Sequence, residues 1–200
     1  MTDCLRLGSL SGSSLKVIAI VSMTIDHLGL YMLGGVDAAS GSVTYHLMRM
    51  VGRLAFPIFA FLLVEGYVHT RDIRKYMLNL FVAAVISDIP WMLLGDFDSH
   101  NVMFTLLMGL MAVSFIDRFW QKKFLTLSVI AMIGALAEWL QTDYSRRGIF
   151  LICVLFMFRD KPMLAFMFGL PLMMVYGLTG CAAGLLMPML YSGQRGLASG

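Results

Sequence analysis

Charge is what this chain has least of. Asp, Glu, Lys and Arg together make up 14% of its 200 residues, against roughly 25% in soluble domains. So few charges cannot cover the surface of a water-soluble domain of this length, and 59% of the residues are hydrophobic. Cysteine is scarce too. Cys4, Cys153 and Cys181 stand far apart, and none lies in a CxxC or Cys/His spacing. That excludes a disulfide framework or a metal site on motif grounds, and Cys153 and Cys181 read as small buried hydrophobes. The net charge of +3 comes from basic residues spread over short loops, without the single patch that nucleic-acid binding requires. Two other loops, residues 35–44 and 95–101, contain no Lys or Arg at all.

What the chain does have is a series of apolar runs near the length of a bilayer crossing. They predict spans at about 15–34, 45–68, 74–94, 102–117, 124–141, 147–158, 163–178 and 180–191, the sixth and eighth being short. The expected fold is all-α: a polytopic bundle of about eight transmembrane helices, forming one domain over 15–192. A short cytoplasmic segment, 1–14, precedes it, and a flexible tail, 193–200, follows. The first span is expected to be retained: it is too long for a signal-peptide core and lacks a small-x-small cleavage site. Ser13 or Ser14 is the expected N-cap of the first helix, and Pro57 is expected to kink the second. The eighteen Met are read as packing and not as ligands.

Lys and Arg in short loops orient membrane proteins. Arg71, Arg74 and Lys75 lie in the second loop, Arg118, Lys122 and Lys123 in the fourth, and Arg159 and Lys161 in the sixth. Eight spans place these loops and both termini in the cytoplasm. Arg146 and Arg147 are the exception, on the outer side.

Within this frame the polar residues of the spans converge in depth. Span one, LKVIAIVSMTIDHLGLYMLG, carries Asp26 and His27 side by side. His27 is about 18 Å from the inner face at 1.5 Å per residue, just beyond the middle of a ~30 Å core. Arg49 and Arg53 come about 6 and 12 Å in from the outer face, and Asp88 is about 21 Å up the third span. Asn101 and Thr105 begin span four, and Asp143 and Tyr144 follow span five. A charged set at one depth from several segments is a functional-site expectation. The structural alternative for Asp26 is an ion pair with Arg49 or Arg53 that fixes helix register. For Asp88 it is a carboxylate serving a helix kink. For Glu65 and His69, one turn apart at the inner end of span two, it is interfacial snorkelling.

The segments IDH, VGRLAFPIFAFLLVEGYVHTRDIRKY, SDIPWML, NVMFTLLMG and TDYSRRGI, in this order, resemble the TraX family over about Leu15 to Gly196. The resemblance implies an inner-membrane acyltransferase of bacteria that takes acetyl from acetyl-CoA, with no metal, and acetylates the N-terminus of pilin or another exported peptide. It also implies a further helix beyond the GxRG turn at Gly193–Gly196, which is absent before Gly200. Its matching positions include Asp26, His27, Arg53, Glu65, Asp88, Asn101, Thr105, Asp143 and Tyr144. The expected catalytic set is His27 as general base, Asp26 or Asp88 as its orienting carboxylate, and Arg53, helped by Arg49, on the oxyanion or a carrier phosphate. Glu65, Asn101, Thr105, Asp143 and Tyr144 complete the expected binding residues, among lipid and peptide partners. The competing readings are a transporter and a non-catalytic accessory protein of a pilus or secretion machine.

Overall fold

In the computed structural model the chain is all-helical, described over residues 8–33, 43–93, 99–194 and 196. Most of the first inter-span loop, the acidic stretch up to residue 98 and most of the expected flexible tail lie outside these residues. Among the described residues nine α-helices follow in order: α1 (Gly12–Leu28), α2 (Val43–Gly52), α3 (Ala55–His69), α4 (Ile73–Leu93), α5 (Val102–Phe119), α6 (Lys123–Trp139), α7 (Ser145–Met157), α8 (Pro162–Met173) and α9 (Leu178–Leu186). Over the described residues, each of the eight expected spans is helical, the second as two helices. Among the described residues four stretches are long and apolar enough to cross a membrane: Gly12–Leu33, Val43–His69, Ile73–Leu93 and Val102–Phe119. Pro162–Tyr176 and Leu178–Leu190 are apolar but shorter.

The chain divides into two compact units, Met1–Leu62 with Asp160–Gly200, and Leu63–Arg159. In the first unit, α1 begins three residues earlier than expected. Its N-cap is Ser11, whose hydroxyl accepts from the backbone N–H of Ser14 at 3.2 Å, so Ser13 and Ser14 belong to the helix itself. The helix widens into a π turn at Gly29–Leu33, immediately after Asp26 and His27. The expected kink at Pro57 takes a different form: the helix breaks upstream, at Arg53 and Leu54. A proline ring collides with the carbonyl four residues before it, and that carbonyl belongs to Arg53. Pro57 then sits in the first turn of α3, where a missing N–H costs little. Helix α9 lies directly on this break. Gly180 meets the Met50 carbonyl and the Arg53 side chain, and Gly184 meets the Leu54 carbonyl, an approach that only residues without a Cβ allow. Leu15, Ala19, Ile58 and Tyr191 form the core of the unit. Backbone bonds stitch its two chain segments together: Leu10 N–H to Leu190 O at 2.9 Å, Gly12 N–H to Gln194 O at 2.9 Å and Ser192 N–H to Leu10 O at 2.8 Å.

In the second unit, α5, α6 and α7 share a core of Met108, Ala112, Ile116, Ile133, Ala137, Ile149 and Cys153. Asp72, within the basic loop before α4, caps that helix by accepting from the N–H groups of Arg74 and Lys75 at 3.0 and 3.1 Å. Gly109 brings α5 close to α7, since a methyl group there would overlap the Cδ1 atom of Ile152. Gly109→Ala is therefore expected to destabilise the protein by about 1–3 kcal/mol through overpacking. Ile152→Val, which removes the obstructing Cδ1, is expected to restore part of that loss in thermal unfolding of the detergent-solubilised protein.

Candidate functional site

Apart from Glu65, the expected site residues fall into two sets, one in each unit. In the first, Arg49 Nη1 donates to Asp26 Oδ2 at 2.6 Å, with both side chains largely buried. The other carboxylate oxygen, Asp26 Oδ1, is buried and lacks a hydrogen-bond partner among the described residues. It faces Gly52, where any Cβ would land on the carboxylate. His27 points elsewhere, as adjacent helical positions must, and stacks on Tyr31 with centroids 5.9 Å apart. His46, Arg49 and Arg53 do not share one continuous helical face, because α2 ends at Gly52. His46 is exposed, and the Arg53 guanidinium sits over the Tyr176 ring, 6.0 Å from its centroid.

The second set is more tightly built. Asp88 is 7% exposed in the last turns of α4. Its Oδ2 accepts from His100 Nδ1 at 2.8 Å. Its Oδ1 accepts from both the backbone N–H and the Nδ2 of Asn101, at 3.1 and 2.9 Å. The Asn101 amide also donates to the Ala84 carbonyl at 3.0 Å, and its Oδ1 caps α5 by accepting from Met103 N–H at 2.9 Å. The same residue thus starts α5 and fixes the carboxylate, next to the positive end of the α5 dipole. With Nδ1–H directed at a carboxylate, the neutral imidazole presents Nε2 as a base. The His100 side chain is 32% exposed, against 9% for that of Asp88.

The loop between α6 and α7 is stitched to the same place. His100 N–H donates to Gln141 O at 3.3 Å and Asp143 N–H to His100 O at 3.0 Å, while the Thr105 hydroxyl donates to the Asp143 carbonyl. Gln141, Tyr144 and Ser145 all have positive φ, at 50°, 61° and 39°. Non-glycine residues in that region are strained, and such strain persists where the surroundings hold it. Beside this loop Arg146 pairs with Glu138 at 3.1 Å, both about half exposed.

Asp88, Asn101, Thr105, Asp143 and Tyr144 are thus gathered around His100, a residue outside the expected set. A signal was available: a histidine directly before a helix-capping asparagine, in a loop read only for its lack of Lys and Arg. Glu65 belongs to the far end of α3, where His69 Nδ1 lies 2.8 Å from its backbone carbonyl and 3.9 Å from its Oε2. Among the described residues no group of three or more His, Cys, Asp or Glu could hold a metal ion.

A family model described as TraX protein matches residues 11–195. The chain belongs to the TraX family. The resemblance carried by the IDH, GRLAFP and TDY segments is thereby borne out. Among curated relatives, the chain is 37% identical over 115 residues to a probable fimbrial assembly protein of Dichelobacter nodosus, FimC of serogroup H1, covering 52% of this chain and 45% of that protein. It is 27% identical over 135 residues to an uncharacterized protein of Rickettsia prowazekii (strain Madrid E), covering 65% of this chain and 48% of that protein. The chain therefore spans about half the length of the curated relatives it matches. No solved structure matches it significantly. Its apolar helices make this TraX-family chain a multi-pass membrane protein.

Asn101→Ala removes the α5 cap and two donors to buried acceptors. It is expected to cost about 1–3 kcal/mol of stability, measurable as a lowered unfolding midpoint. Gly52→Ala is expected to cost a similar ~1–3 kcal/mol by overpacking against Asp26.

Proposed function

We propose that this TraX-family protein is a membrane-embedded acyltransferase that moves an acyl group from a thioester donor to an amine or hydroxyl of an exported peptide. The observation that carries this reading is the Asp88–His100 pair: a buried, fully hydrogen-bonded carboxylate holding a partly exposed imidazole. Acyl transfer needs a base for the acceptor's proton, and an imidazole oriented by a carboxylate supplies one near neutral pH. In the step, His100 Nε2 takes the proton as the acceptor atom bonds to the thioester carbonyl carbon. The carbon–sulfur bond then breaks, and the proton passes from His100 to the departing thiolate. Asp88 stabilises the imidazolium in between.

The base thus moves from the expected His27 to His100. Of the two carboxylates considered as orienters, Asp26 pairs with Arg49 and Asp88 with His100. Thr105 and the Asp143–Tyr144 segment hold the loop that borders the imidazole. Acetyl-CoA is the donor the family resemblance implies. A nucleotide thioester carries several phosphates, and the exposed basic residues Arg71, Arg74, Lys75, Arg118, Lys122 and Lys123 have the charge to meet them. The name of the Dichelobacter relative favours a pilin as acceptor, in the inner membrane of a bacterium.

Mass spectrometry of the pilin or other exported peptide, from cells with and without this gene, tests the reading. The gene is expected to add an acetyl-sized mass. His100→Ala in folded, inserted protein is expected to lower the transfer rate by about 10²-fold or more, and Asp88→Asn to lower it less. His27→Ala and Arg53→Ala, assayed alongside, are expected to retain more activity than His100→Ala. Undiminished transfer by His100→Ala would remove the imidazole from the mechanism.

A further inference from the structure

The second unit has two chemically different ends. At one end α3, α5 and α7 finish together: Tyr67 Oη donates to Asp117 Oδ2 at 2.8 Å, and the Tyr67 and Phe156 rings meet with centroids 5.6 Å apart. The turns that leave this end carry Arg71, Arg74 and Lys75 before and within the start of α4, and Arg118, Lys122 and Lys123 around the turn into α6. All six are exposed. At the other end stand the Asp88–His100 pair and the strained loop. The basic residues there are Arg146 and Arg147. Arg146 is paired with Glu138, and Asp88 and Asp143 add two more acidic groups. Helix α5 runs from one end to the other, and its 18 residues are about 27 Å long at 1.5 Å per residue. That matches a hydrocarbon core of ~30 Å. Both α4 and α5 have the length and apolarity of spans.

Short loops rich in Lys and Arg stay in the cytoplasm, whereas acidic residues contribute little to orientation. We infer that the six-cation end of this unit is cytoplasmic and that the Asp88–His100 pair opens on the opposite face of the membrane. Arg146 and Arg147, anomalous as loop residues counted along the sequence, are two against those six and Arg159 once the turns are grouped by end. A consequence follows that rests on the acyl-transfer reading. The acceptor meets its base only after crossing the membrane, so acylation comes after translocation in the reaction sequence. An acyl group supplied from the cytoplasm must travel the length of α5 to reach His100.

The orientation can be measured without any activity. Wild-type protein in right-side-out cells and in inverted membrane vesicles is treated with a membrane-impermeant amine reagent, and Lys75, Lys122 and Lys123 are read by peptide mass spectrometry. These lysines are expected to be labelled in inverted vesicles and protected in cells. Glu138→Cys, placed in a chain with Cys4, Cys153 and Cys181 replaced by Ala, is expected to react with an impermeant maleimide in cells. Lysine labelling in intact cells with protection in inverted vesicles overturns the assignment, and the wild-type result stands even if the cysteine variant fails to fold. In a second arm, the acceptor peptide is expressed with and without its export signal. Acetylation of the exported form alone supports acylation after translocation. Acetylation of the retained form overturns that order. Acetylation of neither refutes the acyl-transfer reading and leaves the orientation to be decided by the labelling.

Discussion

A carboxylate placed within apolar helices has to be surrounded by donors, and much of this protein is arranged to satisfy that demand. An aspartate at the centre of a membrane helix costs roughly 2.5–3.5 kcal/mol on insertion scales. Asp88 is met on both oxygens, by an imidazole, a backbone N–H and a carboxamide. Its three donors come from consecutive residues, His100 and Asn101, and Asn101 also begins α5. The position of α5 relative to α4 therefore follows from the solvation of one side chain. The loop of Gln141 to Ser145 is then fixed in turn, because it pairs with the backbone of His100.

Asp26 shows the same demand met halfway. Arg49 occupies one oxygen, and the other is packed against Gly52 without a donor among the described residues. An ion pair with a single hydrogen bond and an unsatisfied oxygen is a weak contributor to stability. It nonetheless ties α1 to α2 at one register, beside a π turn and one turn of helix before a break. This region concentrates irregular backbone in the first unit, as the positive-φ loop does in the second.

The helices were legible in the sequence because the apolar runs, short in the sixth and eighth, are each bounded by polar or glycine-rich stretches. That pattern of runs survives any tertiary arrangement. Their ends were less legible. Ser11 competes with two other serines for the cap, and Pro57 shifts the break to the residue whose carbonyl its ring would strike. The site was legible as a set of residue types at a common depth, but not as a set of pairs. Asp26 and Arg49 could be matched by charge, whereas His100 lies in a loop, and no period relates it to Asp88 twelve positions earlier. Only the return of the chain after α4 brings the two side chains to 2.8 Å. Grouping all the polar residues by depth also joined residues that belong to different units, since distance along a helix axis says nothing of position around the bundle.

The stitching of Leu10 and Gly12 to Leu190, Ser192 and Gln194 bears on how the chain is made. One unit is a continuous stretch, Leu63–Arg159, while the other is split around it. During synthesis α1 and α2 leave the ribosome well before the glycine face of α9 and the segment of Leu190 to Gln194 that bonds to the start of α1. At about 5–20 residues per second, the early helices wait on the order of ten seconds for them. Through that interval the Asp26–Arg49 pair and the Ser22 hydroxyl, which donates to the Val51 carbonyl, are polar links between α1 and α2 already complete. The continuous unit can close first, and α1 and α2 are then sealed by residues that emerge after it.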